Sequence, residues 1–151
     1  MISRTFDAPR EKVFDAWLDA AQIPKWMGPR GVTADADRLE PKVGGGYRIV
    51  MHTPDGTPTV GGVYKEIARP EKLIFTWAWE QARNIAPGGH HEKGVSAPGH
   101  ETLVTVTFRD VGGGKTEMTL LHERFANAKA RDSHSHGWTG SFDKLAELLG
   151  A

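Results

Sequence analysis

The sequence predicts an α+β domain in which a curved antiparallel sheet of about six or seven strands wraps around a long C-terminal helix. Three observations carry this expectation. The stretch from about residue 32 to residue 123 alternates apolar and polar residues in short runs separated by turn signals. The final segment, residues 132–149, places Trp138, Phe142, Leu145 and Leu149 at spacings of 4, 3 and 4, one stripe of a helix. A strand pattern over Ile2–Phe6 and two short helical patterns precede the sheet.

In the first helix, expected over residues 10–20, Val13, Phe14, Trp17 and Leu18 share a face, and Pro9 suits its first position. Pro24 breaks the pattern, so residues 22–27 form a second short turn that Gly28-Pro29 ends. Strands are expected near residues 32–39, 47–51, 59–67, 73–79, 102–109 and 116–123. Pro54-Asp55-Gly56, Arg69-Pro70-Glu71-Lys72 and Gly112-Gly113-Gly114 are the turns between neighbours, and short turns make the sheet antiparallel. Residues 81–99 carry no period, and a loop of that length suggests a lid at a pocket mouth. Asp132 or Ser133 is the expected cap of the last helix, whose Gly137 and Gly140 suggest close approach of the sheet. An antiparallel sheet needs one face covered, and only this helix is long and apolar enough to cover it. No repeat or linker divides the 151 residues, which read as a single domain.

Composition narrows the function. Lysine plus arginine equal aspartate plus glutamate at 19 each, which argues against a nucleic-acid protein. There is no cysteine, so disulfides, thiolate catalysis and cysteine-ligated zinc are excluded. No apolar run approaches a membrane span, and no signal-peptide stretch opens the chain; a cytoplasmic protein without membrane insertion is expected. Neither glycine triplet is a phosphate loop, and no nucleophile elbow occurs. His90, His91, His100, His134 and His136 lack the spacing of a zinc site, so no metal and no cofactor is expected.

Several segments resemble a known family. They are Arg4-Thr5-Phe6-Asp7-Ala8-Pro9-Arg10, Val13-Phe14-Asp15-Ala16-Trp17 and Trp26-Met27-Gly28-Pro29. Val43-Gly44-Gly45-Gly46-Tyr47-Arg48, Pro54-Asp55-Gly56, Pro70-Glu71-Lys72-Leu73-Ile74-Phe75-Thr76 and Gly137-Trp138 complete the set. In this order they resemble the SRPBCC superfamily of START-like and birch-pollen-allergen-like proteins, and within it the group named after the activator of the heat-shock-protein-90 ATPase (AHSA-like). The resemblance implies the helix-grip fold and a cavity between sheet and final helix. It implies no catalytic set.

The pocket candidates follow from faces that converge on that cavity. They are Phe75, Trp77 and Trp79 on one strand face, Tyr47 and Met51 on another, and Phe108, Met118, Leu120 and His122 on the last two strands. His134, Trp138 and Phe142 come from the helix, and Trp26 stands beside them. An aromatic-rich lining suits an apolar, aromatic or lipid-like small molecule. Two other functions remain open: a cyclase-like or hydrolase-like activity using His122 or His134 as acid–base, and a co-chaperone-type interaction module. A homodimer is compatible with the composition.

Overall fold

The computed structural model describes residues 1–80, 100–125 and 127–149. In chain order the elements are β1 (Ile2–Phe6), α1 (Arg10–Leu18), α2 (Ile23–Trp26), β2 (Thr33–Leu39), β3 (Gly46–His52), β4 (Thr59–Ala68), β5 (Lys72–Trp79), β6 (Thr102–Gly112), β7 (Lys115–Glu123) and α3 (Ala128–Leu148). The seven strands form one sheet in the order β1-β7-β6-β5-β4-β3-β2, and every pairing is antiparallel. β1 and β2 are therefore opposite edges, and α1 and α2 carry the chain from one edge to the other.

The sheet curls into a half-barrel around α3, as the helix-grip arrangement requires. Irregularities at Ala36/Arg38, Tyr64/Glu66 and Asp110/Gly112 interrupt the register, and such bulges increase local twist and bend the strand. The concave face carries the core. Tyr47, Ile49 and Met51 of β3 point inward, with Val104, Val106 and Phe108 of β6 and Met118 and Leu120 of β7. From α3, Trp138, Phe142 and Leu145 fill the hollow, and Leu149 seals its end.

Two helix caps differ from the sequence expectation. Pro9 lies just outside α1 with extended backbone (φ −68°, ψ 156°), so its carbonyl accepts from Lys12 and Val13 N–H at 3.0 and 3.2 Å. It caps the helix through its backbone instead of opening it. α3 begins at Ala128, four residues before the expected start, because the Asn127 side chain accepts from Ala130 N–H at 2.8 Å. Only Ala130 of the added turn is buried, so periodicity gave no sign of it. The loop expected to form a lid, residues 81–99, lies outside the described residues.

Candidate functional site

An aromatic cluster joins α1, α3 and the middle of the sheet. Trp17 lies 4.8 Å from Trp26, 5.6 Å from Trp138 and 6.0 Å from Phe75, ring centre to ring centre. Trp138 stacks on Phe142 and reaches Trp77 at 5.0 Å. Below Trp138 the packing is solid. Above it, a cleft of about 200 Å³ lies beside the first half of α3.

Three walls enclose the cleft. Met51 of β3 and Trp77 and Trp79 of β5 form the sheet side. Ser133, His134, His136, Gly137, Trp138 and Ser141 form the α3 side, and Met27, Gly28 and Pro29, the connection after α2, close one end. None of these residues is acidic or carries a lysine or arginine charge.

The structure thus separates the sequence candidates into two groups. Met51, Trp77, Trp79, His134 and Trp138 line the cleft. The rest lie behind it. Trp26 is fully buried, with its indole N–H donating to Ala16 carbonyl at 3.0 Å. The buried Tyr47 hydroxyl donates to Thr76 carbonyl. Phe75, Phe108, Met118, Leu120 and Phe142 are core side chains, and His122, which is not among the lining residues, is bonded to Trp138. Sequence reasoning missed Met27, Gly28, Pro29, Ser133, His136, Gly137 and Ser141 as lining residues. A usable signal existed in α3: Ser133, Gly137 and Ser141 recur every four residues, a small-residue groove beside the His134–Trp138 stripe.

The two inner histidines have defined proton positions. The Thr102 hydroxyl has one proton and gives it to Trp77 carbonyl at 2.8 Å. It must therefore accept from His122 Nε2–H, 2.6 Å away. His122 Nδ1 is left as an acceptor and takes the Trp138 indole N–H at 3.0 Å. His134 is the mirror case. Its Nδ1–H donates to Ala130 carbonyl at 2.8 Å, one turn back in α3, and its Nε2 accepts the Trp79 indole N–H at 2.9 Å. Each ring thus pins one tryptophan of the cleft wall.

Both histidines are neutral for the same reason. Burial pushes His122 down to about 2, and the facing His134 adds to the shift. Burial also lowers His134, offset in part by its bond to Ala130 carbonyl. Two indole N–H groups, of Trp17 and Trp77, are buried without a hydrogen-bond partner among the described residues.

The two glycines of α3 serve different ends. A Cβ on Gly140 would come within 3.1 Å of Pro29 Cα and 3.3 Å of Arg30 N. Gly140 therefore admits the connection after α2, not the sheet. A Cβ on Gly137 would meet nothing within 4 Å, because that position faces the cleft. Lys144 fixes the same connection from below. Its ammonium donates to Val32 carbonyl at 2.9 Å and Met27 carbonyl at 3.3 Å, and burial lowers its pKa.

Comparison with known proteins places this architecture. The model of the family described as activator of Hsp90 ATPase homolog 1-like protein matches residues 7–150. A crystal structure from Chromobacterium violaceum shares 22% identity with a TM-score of 0.81, over 99% of this chain and 96% of that one. The AHSA1 protein from Silicibacter pomeroyi shares 26% identity with a TM-score of 0.78, over 98% of this chain and 94% of that one. CalU16 from Micromonospora echinospora is more distant, at 18% identity and a TM-score of 0.63, over 98% and 73% of the two chains. No functionally curated protein matches the sequence. With the family match spanning all but the two ends and the helix-grip architecture in place, the chain belongs to the activator of Hsp90 ATPase homolog 1-like family.

Proposed function

We propose that the protein binds a small apolar molecule in the cleft between α3 and the β3–β5 side of the sheet. One observation carries the reading: three indoles, of Trp77, Trp79 and Trp138, surround space left open opposite a helical glycine. Glycine in a helix interior costs about 1 kcal/mol relative to alanine. At Gly137 no neighbouring atom requires that cost, and keeping the cleft open gives it a purpose.

An acid–base enzyme fits the site less well. Both nitrogens of His122 and both nitrogens of His134 are already engaged within the protein. A general base needs a free lone pair within reach of substrate. A docking role toward a heat-shock ATPase rests on the family name. The large exposed apolar side chains among the described residues are Met1, Val43, Val63, Val111 and Leu121, and none of them lines the cleft.

Native mass spectrometry of freshly purified protein, followed by tryptophan fluorescence titrations with lipids and aromatic compounds, tests the reading. A co-purified mass, or saturable quenching lost on filling the cleft, supports it. No adduct and unchanged fluorescence across the panel sink it.

A further inference from the structure

The cleft carries information about which apolar molecule it takes. We infer that its ligand is a neutral, flat molecule of one or two rings, seated against Gly137 between Trp77, Trp79 and Trp138, and that Gly137 sets the size limit. The inference rests on the binding reading above and narrows it.

Charge comes first. No acidic, lysine or arginine residue lines the cleft among the described residues. Lys144, on the same helix, has its ammonium donating to the carbonyls of Met27 and Val32. His134 is neutral, with one nitrogen donating to Ala130 and the other accepting from Trp79. A carboxylate or phosphate placed among the indoles would lose its hydration with no cation among the described lining residues to compensate, which costs several kcal/mol or more. A neutral molecule avoids that cost.

Size and shape follow from the walls. The volume of about 200 Å³ lies below the roughly 300–1,000 Å³ of sites for drug-sized ligands. A compact ring system suits that space better than a long acyl chain. Indole faces and edges favour flat π-systems, in offset or edge-on packing, beyond what area alone gives. At Gly137 a flat ring can rest on the helix backbone, where any side chain would project into the space. Polar groups remain at the rim, where the exposed Ser133 and His136 stand, so a hydroxyl or carbonyl substituent would point there.

A matched pair of probes tests this: 1-naphthalenemethanol, which is neutral, and 1-naphthoate, the same rings with a carboxylate. Dodecanoate serves as the acyl chain. Titration calorimetry and tryptophan quenching at pH 7.5 are run on the wild type and on Gly137→Phe, Gly137→Ala and Ser133→Leu. The expected result is binding of the neutral probe, with naphthoate and dodecanoate at least about tenfold weaker. Gly137→Phe and Ser133→Leu each weaken the neutral probe by at least about tenfold, while Gly137→Ala, which keeps the fold, weakens it less. Naphthoate or dodecanoate binding as tightly as the neutral probe overturns the ligand class and leaves the binding reading standing. Undiminished binding in both occluding variants, with circular dichroism confirming that they are folded, overturns the placement at Gly137. Failure of all three probes to bind the wild type overturns the inference; the search for a co-purified mass then decides the binding reading separately.

Discussion

The indole N–H of Trp138 donates to Nδ1 of His122 at 3.0 Å, joining the middle of α3 to the inner face of β7. The bond works only because His122 spends its other nitrogen as a donor to Thr102. Substituting Trp138→Phe keeps an aromatic ring but leaves a buried acceptor without a partner. The expected loss is about 1–3 kcal/mol, read from urea denaturation as a lower midpoint with little change in slope.

The neutrality of both inner histidines makes stability depend on pH. Free histidine has a pKa near 6.5; in the folded state both values are lowered, His122 to about 2. Below about pH 6.5 the unfolded chain therefore binds more protons than the folded one. The stabilisation is complete above that pH and is lost progressively as pH falls, by up to about 1.4 kcal/mol per pH unit for each histidine. His134 faces His122 of β7, Trp77 and Trp79 of β5 and Phe125, and no carboxylate among the described residues pairs with it. Denaturation series at pH 7.5, 6.0 and 5.0 measure the slope, and it should flatten in His122→Gln and in His134→Gln. A wild-type stability flat between pH 7.5 and 5.0 contradicts this account.

Protonating His134 has a local consequence as well. Nε2 would become a donor facing the Trp79 indole N–H, and the 2.9 Å bond could not persist. Tryptophan fluorescence should therefore change below pH 6 before global unfolding begins, and Trp79→Phe should remove most of that early change.

The two glycines of α3 make a paired prediction. Gly137→Ala should stabilise the protein by up to about 1 kcal/mol, since a Cβ there meets no atom and helix propensity improves. Gly140→Ala gains the same propensity but drives a methyl to 3.1 Å from Pro29 backbone, so its midpoint should not rise. Thermal denaturation of both variants separates the roles.

Lys144 connects α3 to both ends of the segment that closes the cleft. Lys144→Met leaves the carbonyls of Met27 and Val32 without that donor. The expected cost is about 1 kcal/mol, with faster amide exchange over residues 27–32 and weaker cleft binding. Unchanged exchange there would show that the segment is held by other contacts.

The sequence by itself determined the α+β class, the antiparallel pairing and the order of the elements. It could do so because these follow from period, turn chemistry and burial of apolar faces, all of which are local patterns along the chain. On β3 both faces carry apolar residues, and periodicity alone did not decide which turns inward. The sequence also marked the stripe of Trp138, Phe142, Leu145 and Leu149. Only the tertiary structure decided which aromatic side chains pack solid and which border a cleft. Trp26 and Trp79 look alike in sequence, yet one donates to Ala16 within the core and the other to His134 at the cleft wall. The wall at Met27, Gly28 and Pro29 was equally hidden, because it meets α3 across more than a hundred residues of chain. The difference between Gly137 and Gly140 is the plainest case. Both read as helix-weakening residues three positions apart, and what each glycine leaves room for depends on the segment that tertiary packing brings opposite it.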